Sequence, residues 1–402
     1  MKSIKYLLST VSVGCACLGI TFAASAQTWT QTSAPRTNWI AIASSADGTT
    51  LVAAVDAGEI YASTNSGVTW QKGTNSPNFH GSFNTVWSSV AASADGVKLA
   101  ATSDFFNPGA PGLGAIFTST NSGAGWTMVS SIIMDLQSIS SSADGNKLAT
   151  VVSDGGIYVS TNSGTTWTQT SAPNAPNSDW TPIASSADGT KLVVAFYGGG
   201  IYISTNLGAT WTQTGAPSTN WFSCASSADG KKLVAVVSGG CIYTSTNSGT
   251  SWTSNSVPVT SWRGVASSAD GSRLVAVATK GLIVTSTNWG AAWLSNNVPS
   301  NHWWSVASSA DGTKLAAVVY GGGIYTSYSV PKPSLCLATS NNNLAFSWTM
   351  PSTNFVLQKI SNLSKANWTT MTNIPVLNLT NLQNQITLSS PGSNVFYRLK
   401  TP

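Results

Sequence analysis

Carboxylates come first among the residues to weigh, because two of them about 5 to 10 Å apart can cleave a glycosidic bond. The chain holds 13 acidic residues, and seven share one setting, Ala-Asp-Gly: Asp47, Asp95, Asp144, Asp188, Asp229, Asp270 and Asp311. An Asp before Gly bonds its own turn backbone, so these read as structure. Six acids remain: Asp56, Glu59, Asp104, Asp135, Asp154 and Asp179. Asp56 and Glu59 share one short loop, while Asp104 and Asp154 fall in equivalent loops further on. A catalytic pair is therefore open, with solvated loop acids as the alternative. His80 and His302 are too few and too separated for a metal set or a nucleophile-base pair. Cys224, Cys241 and Cys336 have no metal-like spacing. In the repeat alignment Cys224 takes a position held elsewhere by Ile183 or Val265, which favours a buried small hydrophobe; a disulfide to Cys241 is not expected. The Gly-Gly pairs recur as turn glycines and cradle no phosphate. No metal and no cofactor is implied.

These residues are set by a repeat. Ser-Thr-Asn-x-Gly-x-x-Trp recurs six times, through Asn65, Asn121, Asn162, Asn206, Asn247 and Asn288, with a broken seventh copy at Ser327. Ala-Asp-Gly recurs in register, the last three steps being 41 residues each. Each period carries four strand signals, read from Trp180–Ser185 (a), Lys191–Phe196 (b), Gly200–Thr205 (c) and Thr210–Thr214 (d), all rich in β-branched and aromatic residues. Four short antiparallel strands per period of about 40 residues is the pattern of a β-propeller blade. Residues 28 to 35 match a d strand yet precede the first a strand, and the seventh repeat lacks its own. The N-terminal strand should therefore complete the last blade and close a seven-bladed ring with no open edge. The d-strand tryptophans are then Trp29, Trp70, Trp126, Trp167, Trp211, Trp252 and Trp293.

The repeated turn resembles the Asp-box, or BNR repeat, of sialidases, xyloglucan hydrolases, sortilin and a photosystem II assembly factor. It departs from that motif in carrying Asn where the box usually has Asp. The resemblance implies an all-β propeller over residues 28 to 327, with the box as a structural element facing away from the catalytic site. It does not choose a function, since members range from hydrolases to receptors. A sialidase-like site needs three arginines, a Tyr with a carboxylate partner and an acid. Of four arginines, Arg398 lies in the tail and Arg273 follows an Ala-Asp-Gly turn. Only Arg36 and Arg263 remain, so the triad cannot be built and no enzyme is expected.

Loop lengths place the functional face. From each turn Asp to the next Ser-Thr-Asn Ser is 16 residues in six repeats but 24 in the second, where Phe105 to Gly114 expands the b-to-c loop. From each d-strand Trp to the next turn Asp is 18 residues in five cases, but 25 after Trp70 and 21 after Trp167. All three insertions leave on one face, and variable loops on a rigid scaffold commonly bind. On that face Trp39, Trp87, Leu136, Trp180, Trp221, Trp262 and Trp303 begin the innermost strands and should pack between blades. The following residue varies far more: Ile40, Ser88, Gln137, Thr181, Phe222, Arg263 and Trp304. With Tyr197, Lys280 and Tyr320 from b-to-c loops, the residues Phe222, Arg263, His302 and Trp304 form a candidate aromatic and basic ligand patch near the central opening. Ordinary surface variation is the alternative.

Residues 1–26 read as a signal peptide: Lys2 and Lys5, an apolar run from Tyr6 to Ala23, then Ala24-Ser25-Ala26 for cleavage. The net charge, +5 with the leader, is too small to imply a nucleic-acid partner, and no further segment could span a bilayer. Residues 27–329 form the propeller. Residues 330–402 form a linker and a small β-sandwich-like module, which resembles the fibronectin-like terminal modules of secreted bacterial proteins running FxLQ, NLS, Trp and FYRL. The expected function is an exported, extracellular or periplasmic, non-catalytic binding or scaffold protein with an unknown protein or glycan ligand. A lectin-like propeller is the alternative, and a glycoside hydrolase stands behind both.

Overall fold

The computed structural model describes residues 27–75, 84–106, 113–132, 135–153, 155–172, 180–329, 335–340, 343–349, 356–362, 367–373, 375–378, 383–391 and 395–400. The signal-peptide segment 1–26, the linker Val330–Pro333, His80, Asp154 and Asp179 lie outside these residues, as do 76–83, 107–112 and 173–179, where the loop insertions fall.

All described elements are strands, and those between Trp29 and Tyr328 build seven antiparallel four-stranded units. The fourth unit shows why. Trp180–Ser185, Leu192–Gly199, Ile201–Ser204 and Thr212–Gln213 pair in sequence order. Strand b is the most apolar and is buried on both faces over its first four residues, as a central strand between two neighbouring blades must be. Strand d is shorter than its sequence signal: Trp211 lies outside the ladder, packed against the core cluster that holds Trp180. In the second unit the reading of Phe105 to Gly114 as loop is corrected. Strand b runs Leu99–Phe106 and strand c Leu113–Ser119, with Phe105 opposite Leu113, so part of the insertion lengthens the hairpin.

The seventh unit takes its outer strand from the other end of the chain. Trp29–Gln31 pairs with Ile324–Tyr328, Trp29 opposite Ser327. Its indole stacks on Trp303 at 6.2 Å, as Trp70 does on Trp39 and Trp252 on Trp221, each at 6.4 Å. The same a-strand indoles meet the strand-c tyrosines edge-on: Trp39 with Tyr61, Trp221 with Tyr243 and Trp303 with Tyr325, at 5.0 to 5.4 Å. Such pairs add about 0.5–1.5 kcal/mol each beyond burial.

A ring of backbone hydrogen bonds runs through the Ala-Asp-Gly turns. Ala46 N–H donates to Ala94 C=O, Ala94 to Ala143, Ala143 to Ala187, Ala187 to Ala228, Ala228 to Ala269, Ala269 to Ala310, and Ala310 back to Ala46, all at 2.6–2.9 Å. Within each turn the preceding Ser donates to the Asp Oδ1, as Ser186 does to Asp188 at 2.5 Å, and the residue two after Asp donates its N–H. Glycine alone holds positive φ there; the Asp acts as acceptor. The basic residue after the turn reaches the next blade. Lys191 Nζ donates to the Asp229 carbonyl at 2.5 Å, and its stem lies where a Cβ on Gly230 (φ +69°) would stand, 2.6 Å from Cδ.

In the Ser-Thr-Asn-x-Gly turn, Asn65 Oδ1 accepts from Ser63 Oγ and the Thr69 N–H, both at 2.9 Å, while its Nδ2 donates to Thr69 Oγ1 at 2.8 Å. An Asp could make the first two contacts but not the third. Asn162, Asn206 and Asn247 repeat this pattern.

The chain divides into two compact units at Ser329/Val330. In the second, Cys336–Ser340, Asn343–Thr349, Gln383–Ser389 and Val376–Asn378 form one sheet, and Thr369–Thr370, Val356–Ile360 and Phe396–Lys400 another. Phe346, Trp348 and Ile386 from the first pack on Leu357 and Tyr397 from the second. Arg398 lies over Trp368 at 4.2 Å and donates to Gln358 at 3.0 Å, joining three of the sequence signals in one contact set.

Two outcomes are expected. Trp29→Ala removes an 8% exposed indole from the closing strand and should cost about 3–5 kcal/mol in urea unfolding. The second concerns acid. Burial opposes ionisation of Asp47, Asp144, Asp188 and Asp229, but the Ser and backbone donors outweigh it and hold all four below their ordinary pKa. Their stabilisation is thus complete above the unfolded value of about 4 and is lost as pH falls through the folded one. In Asp311 burial wins, its pKa rises, and its contribution has the opposite sign. Melting temperature should hold from pH 7 to 5 and fall below about pH 4, and Ser186→Ala should make that fall shallower.

Candidate functional site

Every a strand carries a β-bulge at one position. The register shifts between Trp39 and Ala41, Trp87 and Ser89, Leu136 and Ser138, Trp180 and Ile183, Trp221 and Ser223, Trp262 and Gly264, and Trp303 and Ser305. The unpaired residue in each is the variable one: Ile40, Ser88, Gln137, Thr181 (with Pro182), Phe222, Arg263 and Trp304. A bulge re-aims the extra side chain while the ladder resumes behind it. The residue before it stays in the core: Trp39, Trp87, Trp180, Trp221, Trp262, Trp303 and Leu136 are at most 1% exposed, so this slot packs between blades.

Three consecutive blades bring their bulge residues together. The Arg263 guanidinium lies 4.4 Å from the Phe222 ring centre and 4.8 Å from that of Trp304. Two cation–π contacts of about 0.5–2 kcal/mol each hold it between the rings. Tyr320 extends the stack at 5.2 Å from Trp304 and donates its hydroxyl to Asp56 Oδ2 at 3.1 Å. Tyr197 comes alongside because strand b of the fourth blade continues past its own sheet and pairs with the fifth, Tyr197 opposite Asn220. A matching pair, Ser238 opposite Ser261, ties the fifth blade to the sixth.

The electrostatics are uneven. Burial draws the Arg263 pKa below its ordinary value, with Tyr197 acting the other way; the group stays charged at any ordinary pH. Its Nε is buried with no acceptor, and the sole ion pair among the described residues is Lys72 with Glu59. Among the described residues Arg263 is thus a half-buried cation without a carboxylate partner. The hydrogen bond to Asp56, and that carboxylate's charge, push the Tyr320 phenol above its ordinary pKa. It serves as a donor rather than as an activated nucleophile.

Of the sequence candidates, Phe222, Arg263, Trp304 and Tyr320 form one contact set, with Tyr197 beside it. His302 contributes its carbonyl, which accepts the Tyr320 N–H at 2.9 Å, while its side chain and that of Lys280 stand exposed without a hydrogen bond among the described residues. Asp56 belongs to this set as the acceptor of Tyr320, a role its loop position did not reveal. Cys224 is buried with its thiol pushed up to about 12 by desolvation, and is inert. Among the described residues no group of three or more His, Cys, Asp or Glu side chains could hold a metal.

No protein-family model and no curated protein matches the chain. Solved structures do. YCF48 from Cyanidioschyzon merolae is 15% identical with a TM-score of 0.58, over 76% of this chain and 99% of that one. YCF48 bound to D1 peptide is 15% identical with a TM-score of 0.55, over 81% and 100%. The GH74 xyloglucanase from Xanthomonas campestris is 14% identical with a TM-score of 0.58, over 86% of this chain and 59% of that one. With the four-stranded units these show the fold: the chain is an all-β protein with a β-propeller.

Asp56→Asn should return the Tyr320 phenol toward its ordinary pKa, read as a lower-pH tyrosinate transition in alkaline absorbance titration. Because the folded pKa is raised, the bond's stabilisation is complete below the unfolded value of about 10 and is lost as pH rises through the folded one.

Proposed function

We propose that this chain is an exported, non-catalytic binding propeller that anchors an anionic group of a protein or peptide partner at Arg263. A single observation carries the reading: a guanidinium fixed between Phe222 and Trp304, partly desolvated, with no carboxylate partner among the described residues. A half-buried cation left unpaired is costly, and an arriving carboxylate would meet donors already held in place. That a propeller of the same fold is known bound to a peptide supports a peptide-holding role.

Sugar stacking on Trp304 fits less well, because both Arg263 and Tyr320 lie against its ring. A hydrolase fits less well too: Glu59 is paired with Lys72, and Asp56 accepts from Tyr320. The repeated turn fits the Asp-box class, its Asn keeping the capping bonds. Export rests on the leader-like first 26 residues, and the binding face on the loop insertions.

The test is a peptide array of acidic and matched amide sequences, probed with residues 27–402 and with Arg263→Ala. Wild type should favour the acidic members, and the variant should lose at least about tenfold, the scale of one charge-assisted contact. Equal binding to acids and amides would overturn the reading.

A further inference from the structure

The face opposite the bulges carries an unexplained aromatic residue. In each Ser-Thr-Asn-x-Gly turn the residue after Asn has positive φ, 55° to 59°: Ser66, Ser122, Ser163, Leu207, Ser248 and Trp289. Any L-residue bears a cost of about 1–2 kcal/mol there, so the backbone gives no reason for an indole in the sixth blade. Packing gives none either, since Trp289 is 48% exposed. Its ring contact is with the fifth blade's Lys232, whose Nζ lies 4.9 Å from the ring centre and is held by a 2.6 Å bond to the Asp270 carbonyl.

The indole borders a shallow groove between the fifth and sixth blades, lined also by Lys232, Thr244, Thr246 and Ser267; the equivalent grooves at three other blade junctions carry no indole. Thr246 is exposed. An indole beside a fixed ammonium and hydroxyl groups matches a sugar ring, whose axial C–H face is apolar and whose edge is polar. A large side chain kept half exposed, at a position where four of the other five turns carry serine, points to use rather than structure.

We propose that Trp289 and Lys232 form a carbohydrate site on the turn face, where a pyranose ring stacks on the indole and its hydroxyls bond Lys232 and Thr246. This site is independent of the Arg263 face, so the chain would join a polysaccharide on one side to an anionic partner on the other.

The test is affinity electrophoresis of residues 27–402 through gels containing xyloglucan, laminarin, hydroxyethylcellulose or soluble chitosan, alongside Trp289→Ser, Trp304→Ala and Arg263→Ala. Trp289→Ser restores the residue of four other turns, so it should fold and melt at or above the wild-type temperature. Wild type should be retarded in at least one gel. Trp289→Ser should lose that retardation at least about tenfold, equivalent to about 1.4 kcal/mol, and the other two variants should keep it. Three results would overturn the proposal: no retardation on the panel, retardation surviving in Trp289→Ser, or a clear fall in melting temperature for that variant. The last would make the indole a packing residue.

Discussion

Seven backbone hydrogen bonds between Ala-Asp-Gly turns hold the molecule to its geometry. Each Ala gives its N–H to the next repeat and its C=O to the previous one, and Ala310 returns to Ala46. All point the same way around, so the set is complete only when the last repeat meets the first. Around it, the Ser-Asp pair satisfies the turn, Gly supplies positive φ, and a Lys or Arg stem lies over the next blade's Gly in six of the seven cases, Thr50 taking that place over Gly96. This explains why these positions recur so closely, since each contacts both its own turn and its neighbour.

The consequence for function is a division between faces. Where the turns are bound into a ring, length cannot change without breaking it. On the other face the bulge frees one side chain per blade from both ladder and core, and variation collects there. Ile40, Ser88, Gln137 and Thr181 leave one arc modest in chemistry; Phe222, Arg263 and Trp304 concentrate aromatic and cationic groups in the other. The extra pairings at Tyr197 and Ser238 tie the blades behind that arc, so the Arg263 group sits on rigid backbone. Trp289 stands apart as a large residue on the conserved-length face, in a turn whose other copies manage with serine or leucine.

Much of the fold was legible because its signals are local and repeated. The hairpin turns, the apolar strand b and the displaced N-terminal Trp29 each show in a window of a few residues. The d strands were read too long because Trp211 and its counterparts look like strand residues but turn into the core. The second hairpin was read too short because cross-strand pairing, as of Phe105 with Leu113, leaves no local trace. The bulge was hidden for the same reason: it is a property of two strands in register, although variability after a position held by Trp in six of seven repeats was its shadow.

The sequence by itself determined the blade, its two turns, the four-strand period and the strand borrowed from the N-terminus, because those follow from residue types at fixed short spacings. Only the tertiary structure decided that Phe222, Arg263 and Trp304, each 41 residues from the next, meet as one stack, and that Asp56, 264 residues away along the chain, reaches Tyr320. Those contacts depend on the curvature of the closed ring, and curvature is a sum over all seven blades that no single stretch of chain contains.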